Sequence, residues 1–174
     1  MKKTILYGIL GLGFILTKLW YKEASAEALA FILVPITRVV EIVTGHLSTY
    51  VTNEGYLFNN LGIIISKSCS GFNFFLTCFL MLSVLLIINL HQIKKKISAG
   101  ILFLTITYII TIIANCSRII TALRLKPFTS NLFPEDLIHS SIGVVTYFFF
   151  LIATYLLVEK IIIKKLIYAD ATQS

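Results

Sequence analysis

Along most of this chain, long uncharged apolar stretches alternate with short basic connections. Three stretches carry no charge at all: Phe72 to Leu90, Ile97 to Ser117 and Ser140 to Val158. A helix crossing the hydrocarbon layer of a bilayer, roughly 30 Å thick, needs about 20 mostly apolar residues, so each stretch predicts a transmembrane helix. A fourth, Thr4 to Tyr21, holds a single charge, Lys18, next to Trp20 and Tyr21. That is the pattern of a snorkelling lysine beside an interfacial aromatic anchor. Lys2, Lys3, the apolar run and the small triplet Ala24-Ser25-Ala26 also have the outline of a secretory signal. The segment from Thr17 to Glu23 is long, bulky and charged for a cleavage region, and we read the stretch as an uncleaved anchor.

Ala28 to Val40 is apolar too, but Pro35 interrupts it and Arg38 and Glu41 follow. A charge at the bilayer centre costs about 2.5–3.5 kcal/mol on insertion scales. The segment therefore predicts a helix lying at the outer interface or dipping partway in, with Pro35 as a kink or first-turn residue. Arg38 and Glu41, three apart, are spaced to pair on one helix face. Two extra crossings here would bring the total to six without changing its parity.

From Thr49 to Ser68 the period changes. Tyr50-Val51, the turn-forming Thr52-Asn53-Glu54-Gly55, Tyr56-Leu57-Phe58 and Gly62-Ile63-Ile64-Ile65 predict a short hairpin that delivers the chain into Cys69. The expected fold is thus an all-α integral membrane protein. It has about four transmembrane helices, an outer interfacial helix and a short extracytoplasmic hairpin before the second strong span, in one transmembrane domain over residues 1–174.

Composition agrees. Of 174 residues 57% are hydrophobic and 13% charged, and mean hydropathy is +0.91, whereas soluble chains are about 45–50% apolar and about 25% charged. Disorder, collagen-like repeats and disulfide scaffolds are excluded; Cys69, Cys78 and Cys116 are three, and do not pair evenly. The net charge of +7 raises nucleic acid as a partner, but the basic residues sit at the ends of apolar runs. There they act as topology signals and lipid-headgroup contacts, so membrane lipids, not nucleic acid, are the expected partners.

Lys94, Lys95 and Lys96 separate the second and third of the four spans, and Lys160, Lys164 and Lys165 follow the last. By the positive-inside rule both groups, with Lys2 and Lys3, face the cytoplasm. The chain is expected in the cytoplasmic (inner) membrane, multi-pass, with both termini cytoplasmic. That topology brings Cys69, Arg118 and His139 to the outer face from three different helices.

These residue types suit acyl transfer. A cysteine attacks as thiolate, and a nearby histidine cation or helix N-terminus lowers the thiol pKa from about 8.5; Ser70-Gly71 opens the helix that follows Cys69. His139 can hold the thiol proton and return it to a leaving amine. Arg118 keeps its charge and suits stabilisation of an oxyanion. Cys78 and Cys116 read as small buried hydrophobes, His46 and His91 as structural.

Cys69-Ser70-Gly71 at the start of one membrane helix, Asn115-x-x-Arg118 at the end of another and His139-x-x-x-Gly143 opening a third resemble the three signature blocks of the exosortase and archaeosortase family. The resemblance covers about residues 28 to 158, and the compact length is similar to the short class known as exosortase K. It implies a membrane-embedded cysteine transpeptidase. The enzyme cleaves exported proteins that carry a C-terminal sorting tail, made of a recognition motif, a transmembrane helix and a basic cluster, and transfers them to a surface acceptor. It further implies Cys69 as nucleophile, Arg118 as electrostatic stabiliser and His139 as acid or base, with Ser70, Gly71, Asn115 and Gly143 in support, and no metal or cofactor. The alternative is a non-enzymatic small membrane subunit of a transporter or assembly complex, which would tolerate replacement of Cys69. A metal-dependent peptidase is not expected, since no His-Glu-x-x-His run occurs and the three histidines are scattered.

Overall fold

The computed structural model of the chain describes residues 3–90, 92–129 and 135–164; the side chains of residues 93, 94, 126–129, 135–139 and 161–163 are outside that description. Elements follow in the order α1 (Lys3–Glu23), α2 (Ala30–Thr44), β1 (Thr49–Val51), β2 (Gly55–Phe58), β3 (Ile63–Ile65), a 3₁₀ turn (Lys67–Cys69), α3 (Phe72–Asn89), α4 (Ile93–Thr129) and α5 (Glu135–Leu157), which runs on into a π-helical turn, Val158–Ile163. Among the described residues four helical segments are long and apolar enough to cross a membrane: Lys3–Glu23, Lys67–Asn89, Lys95–Leu125 and Ser140–Lys160. This is the architecture of a mostly helical, multi-pass membrane protein, and the four coincide with the four stretches read from the sequence. At 1.5 Å per residue α4 is about 55 Å long, well beyond the hydrocarbon thickness. His91 lies outside the described residues.

The chain forms two compact units. One contains the described parts of residues 1–22, 73–110 and 150–174. Its buried positions include Phe74, Cys78, Leu82, Leu86, Leu90, Phe103, Thr107 and Val158, and none belongs to α1. Lys18 in α1 donates through Nζ to Asn73 Oδ1, and Lys3 Nζ donates to the Ile88 carbonyl at 3.1 Å.

The other unit contains residues 23–72 and 111–149. In α2, Ile32, Leu33, Ile36, Thr37, Val40 and Glu41 are buried, a helical repeat that sets one face inward. Pro35 is the sixth residue of α2, past its first turn, and Gly45 ends the helix in the left-handed region with its N–H on the Glu41 carbonyl at 2.9 Å. Arg38 Nη1 meets Glu41 Oε2 at 2.8 Å, the pair that the spacing predicts.

The predicted hairpin is present and gains a third strand. The sheet is an antiparallel meander, β1-β2-β3, with Tyr50 opposite Tyr56 and Tyr56 opposite Ile65. Gly55 sits at φ 125°, where a Cβ would collide with the Ile65 carbonyl oxygen, so only glycine lets β2 and β3 close. Phe58 and Ile65 are buried and fix the sheet within the unit. β3 then leads through Ser66 and the 3₁₀ turn to Cys69.

Candidate active site

Cys69 closes the 3₁₀ turn, its N–H on the Ser66 carbonyl at 2.9 Å, and the Ser70 N–H returns to the Lys67 carbonyl at 3.1 Å. Buried Ser70 accepts the Phe72 N–H on its hydroxyl at 3.3 Å, easing the entry into α3. The Cys69 thiol is half-buried, 3.9 Å from the Ser68 hydroxyl, which is itself 2.9 Å from Ser66 Oγ. By contrast Cys78 and Cys116 are buried, with Cys116 Sγ 3.8 Å from the Ile36 carbonyl, as expected for packing residues.

The backbone at Cys69 is held from another element. Asn115 on α4, fully buried, donates through Nδ2 to the Cys69 carbonyl. Its approach depends on Gly71: φ there is +68°, and a Cβ would stand 3.3 Å from Asn115 Cγ and 3.4 Å from Thr111 Cγ2. Glycine is needed at this position both for its dihedral and for the space.

One turn along α4, Arg118 is held by α5. Its Nη1 donates to the Tyr147 hydroxyl at 3.2 Å, and its Cζ lies 5.5 Å from the Tyr147 ring centroid, within cation–π range. The Tyr147 hydroxyl in turn donates to Asn115 Oδ1 at 2.7 Å. Gly143, buried and one turn before Tyr147, makes room for the guanidinium: a Cβ would sit 3.0 Å from Arg118 Nε. His139 lies on α5 four residues, about one turn, before Gly143; its imidazole is outside the described side chains.

Cys69, Ser70, Gly71, Asn115, Arg118 and Gly143 therefore meet within one unit, from the 3₁₀ turn, α4 and α5. Sequence reasoning missed Tyr147 and Thr111. The signal for Tyr147 was the four-residue step from His139 through Gly143, hidden by the run Phe148-Phe149-Phe150 that makes one more aromatic look like packing. Chemically, the cluster offers a thiol at a helix entrance, a cation with hydrogen-bond donors and an amide clamp on the cysteine's own backbone.

A second polar cluster in the same unit lines a cleft of about 270 Å³ formed by Val34, Thr37, Arg38, Glu41, Ser48, Tyr50 and Tyr56. Glu41 Oε1 accepts the Ser48 hydroxyl at 2.7 Å and its N–H at 3.0 Å. These bonds, then Arg38, hold the Glu41 carboxyl below its ordinary pKa against the opposing effect of burial.

No family model, curated protein or solved structure matches the chain.

Proposed function

We propose that this chain is a membrane-embedded cysteine transpeptidase acting on exported proteins that carry a C-terminal sorting tail. The observation that supports this most is the joining of residues far apart in sequence: Asn115 grips the Cys69 backbone while Gly143 abuts Arg118, so members of all three signature-like blocks occupy one cluster. A packing role alone would not require a polar network that closes on the backbone of a half-buried cysteine.

In the proposed reaction the Cys69 thiolate attacks the scissile carbonyl, forming a C–S bond. Arg118 stabilises the oxyanion, and losing such a donor costs about 10²–10³ in rate. His139 protonates the leaving amine as the C–N bond breaks, leaving a thioester on Cys69. An amine or other surface nucleophile, or water, then takes the acyl group and restores the thiol. The sorting helix would lie in the bilayer beside the spans. With Lys95, Lys96, Lys160 and Lys164 on the cytoplasmic side, the cluster faces outward, both termini face inward and α2 lies at the outer interface.

The test is labelling of Cys69 in intact cells by a membrane-impermeant maleimide, located by peptide mass mapping, with and without His139→Ala. Labelling from outside that slows several-fold without His139 supports both the membrane side and the Cys-His pairing. A thiol labelled only after the membrane is opened refutes the sidedness. One that reacts equally without His139 removes the acid-base assignment and favours the structural-subunit reading.

A further inference from the structure

The hydroxyl of Tyr147 joins two groups to which the proposed function gives separate tasks. It accepts from Arg118 Nη1 at 3.2 Å and donates to Asn115 Oδ1 at 2.7 Å, and Asn115 donates onward to the Cys69 carbonyl. A guanidinium can only donate and a carbonyl can only accept. Every hydrogen bond in this series therefore runs one way, from Arg118 towards Cys69, and the Asn115 amide has one orientation that satisfies it. Turning the amide over would set its NH₂ against the Tyr147 hydroxyl and its oxygen against the Cys69 carbonyl, losing the clamp.

Tyr147 also supports Arg118 laterally. The arginine side chain is long and rotamer-rich, and Gly143 opens space beside it and gives it no side chain to lean on. The Tyr147 ring at 5.5 Å and its hydroxyl supply a face and an acceptor from the same residue. A cation acts on a developing oxyanion only if it is already in place when the charge appears.

We propose that Tyr147 is the positioning residue of the site, its hydroxyl holding the Arg118 guanidinium and the Cys69 backbone in one fixed relation for oxyanion stabilisation; this rests on the transpeptidase reading above. Tyr147 does not touch the reacting atoms. It acts through Arg118 and Asn115.

Two reagents separate this role from a structural one. Acetylation of Cys69 by p-nitrophenyl acetate passes through a tetrahedral oxyanion; alkylation by iodoacetamide does not. Both are followed at Cys69 by mass mapping of the purified full chain in detergent. Tyr147→Phe keeps the ring and removes the hydroxyl. It should lower the acetylation rate about tenfold, leave alkylation within about twofold, and add nothing further in an Arg118→Lys background, because residues that act through one another are not additive. If Tyr147→Phe does not accumulate as folded protein, 4-aminophenylalanine at 147 still donates to Asn115 but accepts poorly from Arg118, and the same acetylation loss is expected.

An equal fall in both rates, no change in either, or a loss that adds fully to that of Arg118→Lys overturns the positioning role and leaves the transpeptidase reading standing. If Cys69 acetylation in the wild-type chain is indifferent to Arg118→Lys, the reading itself fails, and the role of Tyr147 with it.

Discussion

Gly143→Ala is the substitution whose effects on stability and on activity should part most clearly. A Cβ built at this position stands 3.0 Å from Arg118 Nε, 3.4 Å from Cζ and 3.6 Å from Cδ, so the guanidinium must give way by a few tenths of an ångström. The atoms in the way are the far end of a flexible side chain, so they can move without dragging α4. What they give up is the bond from Nη1 to Tyr147, already at 3.2 Å, near the long end of the normal range. A hydrogen bond from a charged group contributes about 1.5–3 kcal/mol. Against that, alanine is favoured over glycine inside a helix by about 0.8–1.0 kcal/mol, and Gly143 lies within α5. The net change in stability is a loss of no more than about 2 kcal/mol, whereas displacing the cation should lower Arg118-dependent acetylation of Cys69 about tenfold, as for loss of the same bond in Tyr147→Phe. Denaturant titration in mixed micelles gives the first number and p-nitrophenyl acetate kinetics the second. Wild-type acetylation in a well-folded Gly143→Ala protein would refute the reasoning, and so would a stability loss far above 2 kcal/mol, which would make Gly143 a packing position between helices.

Other outcomes follow from the same geometry. Asn115→Leu fills the volume but removes the donor to the Cys69 carbonyl, at about 1–3 kcal/mol for an unsatisfied group, and the acceptor of the Tyr147 O–H, whose oxygen still accepts from Arg118; a lowered denaturation midpoint together with lost Cys69 acetylation checks this, and an unchanged midpoint would contradict it. Gly71→Ala places a side chain at φ +68° against Asn115 and Thr111, with about 1–3 kcal/mol of backbone strain before any overlap is counted, so it should destabilise more than Gly45→Ala, where the space around the Cβ is open. Glu41 is held below its ordinary 4.5. The stability it gives is therefore fully present above that pH and lost as pH falls through the folded-state value. The difference in thermal midpoint between wild type and Glu41→Gln should stay flat from about pH 7 to about pH 5 and shrink below about 4.5.

The sequence exposes those parts of this protein that depend on local pattern. The four apolar helices, the turn at Asn53-Glu54-Gly55 and the Arg38–Glu41 pair all depend on residues within one helical turn or one membrane thickness of each other, and the structure has them. Part of the candidate cluster stands out in the sequence, because Cys69 and Arg118 are a thiol and a cation at the ends of apolar runs; Asn115 and Gly143 stand out only through the family resemblance. The contacts that join them were not legible. Asn115 meets Cys69 across 46 positions and Tyr147 across 32, and no periodicity encodes a distance of that kind. Tyr147 escaped for a further reason: a tyrosine in a membrane helix is usually an interfacial anchor or a packing group, and only its partners show that its hydroxyl is in use. The third strand was half visible, since Ile63-Ile64-Ile65 has β propensity but no alternation to fix its register. Its pairing is imposed by Gly55, which admits the Ile65 carbonyl.

The manner in which α1 is held has its own consequence. No residue of this helix is buried, yet Lys3 reaches the C-terminal end of α3 and Lys18 reaches Asn73 at its start. Fifteen residues of helix separate the two lysines, about 22 Å, close to the length of α3 itself. Two polar tethers so placed fix the height of α1 along its neighbour and leave the residues between them interchangeable. Scrambling Ile5 to Thr17 as an apolar block should be tolerated. Sliding Lys18 by two positions should not, because the helix would then have to choose which end to keep.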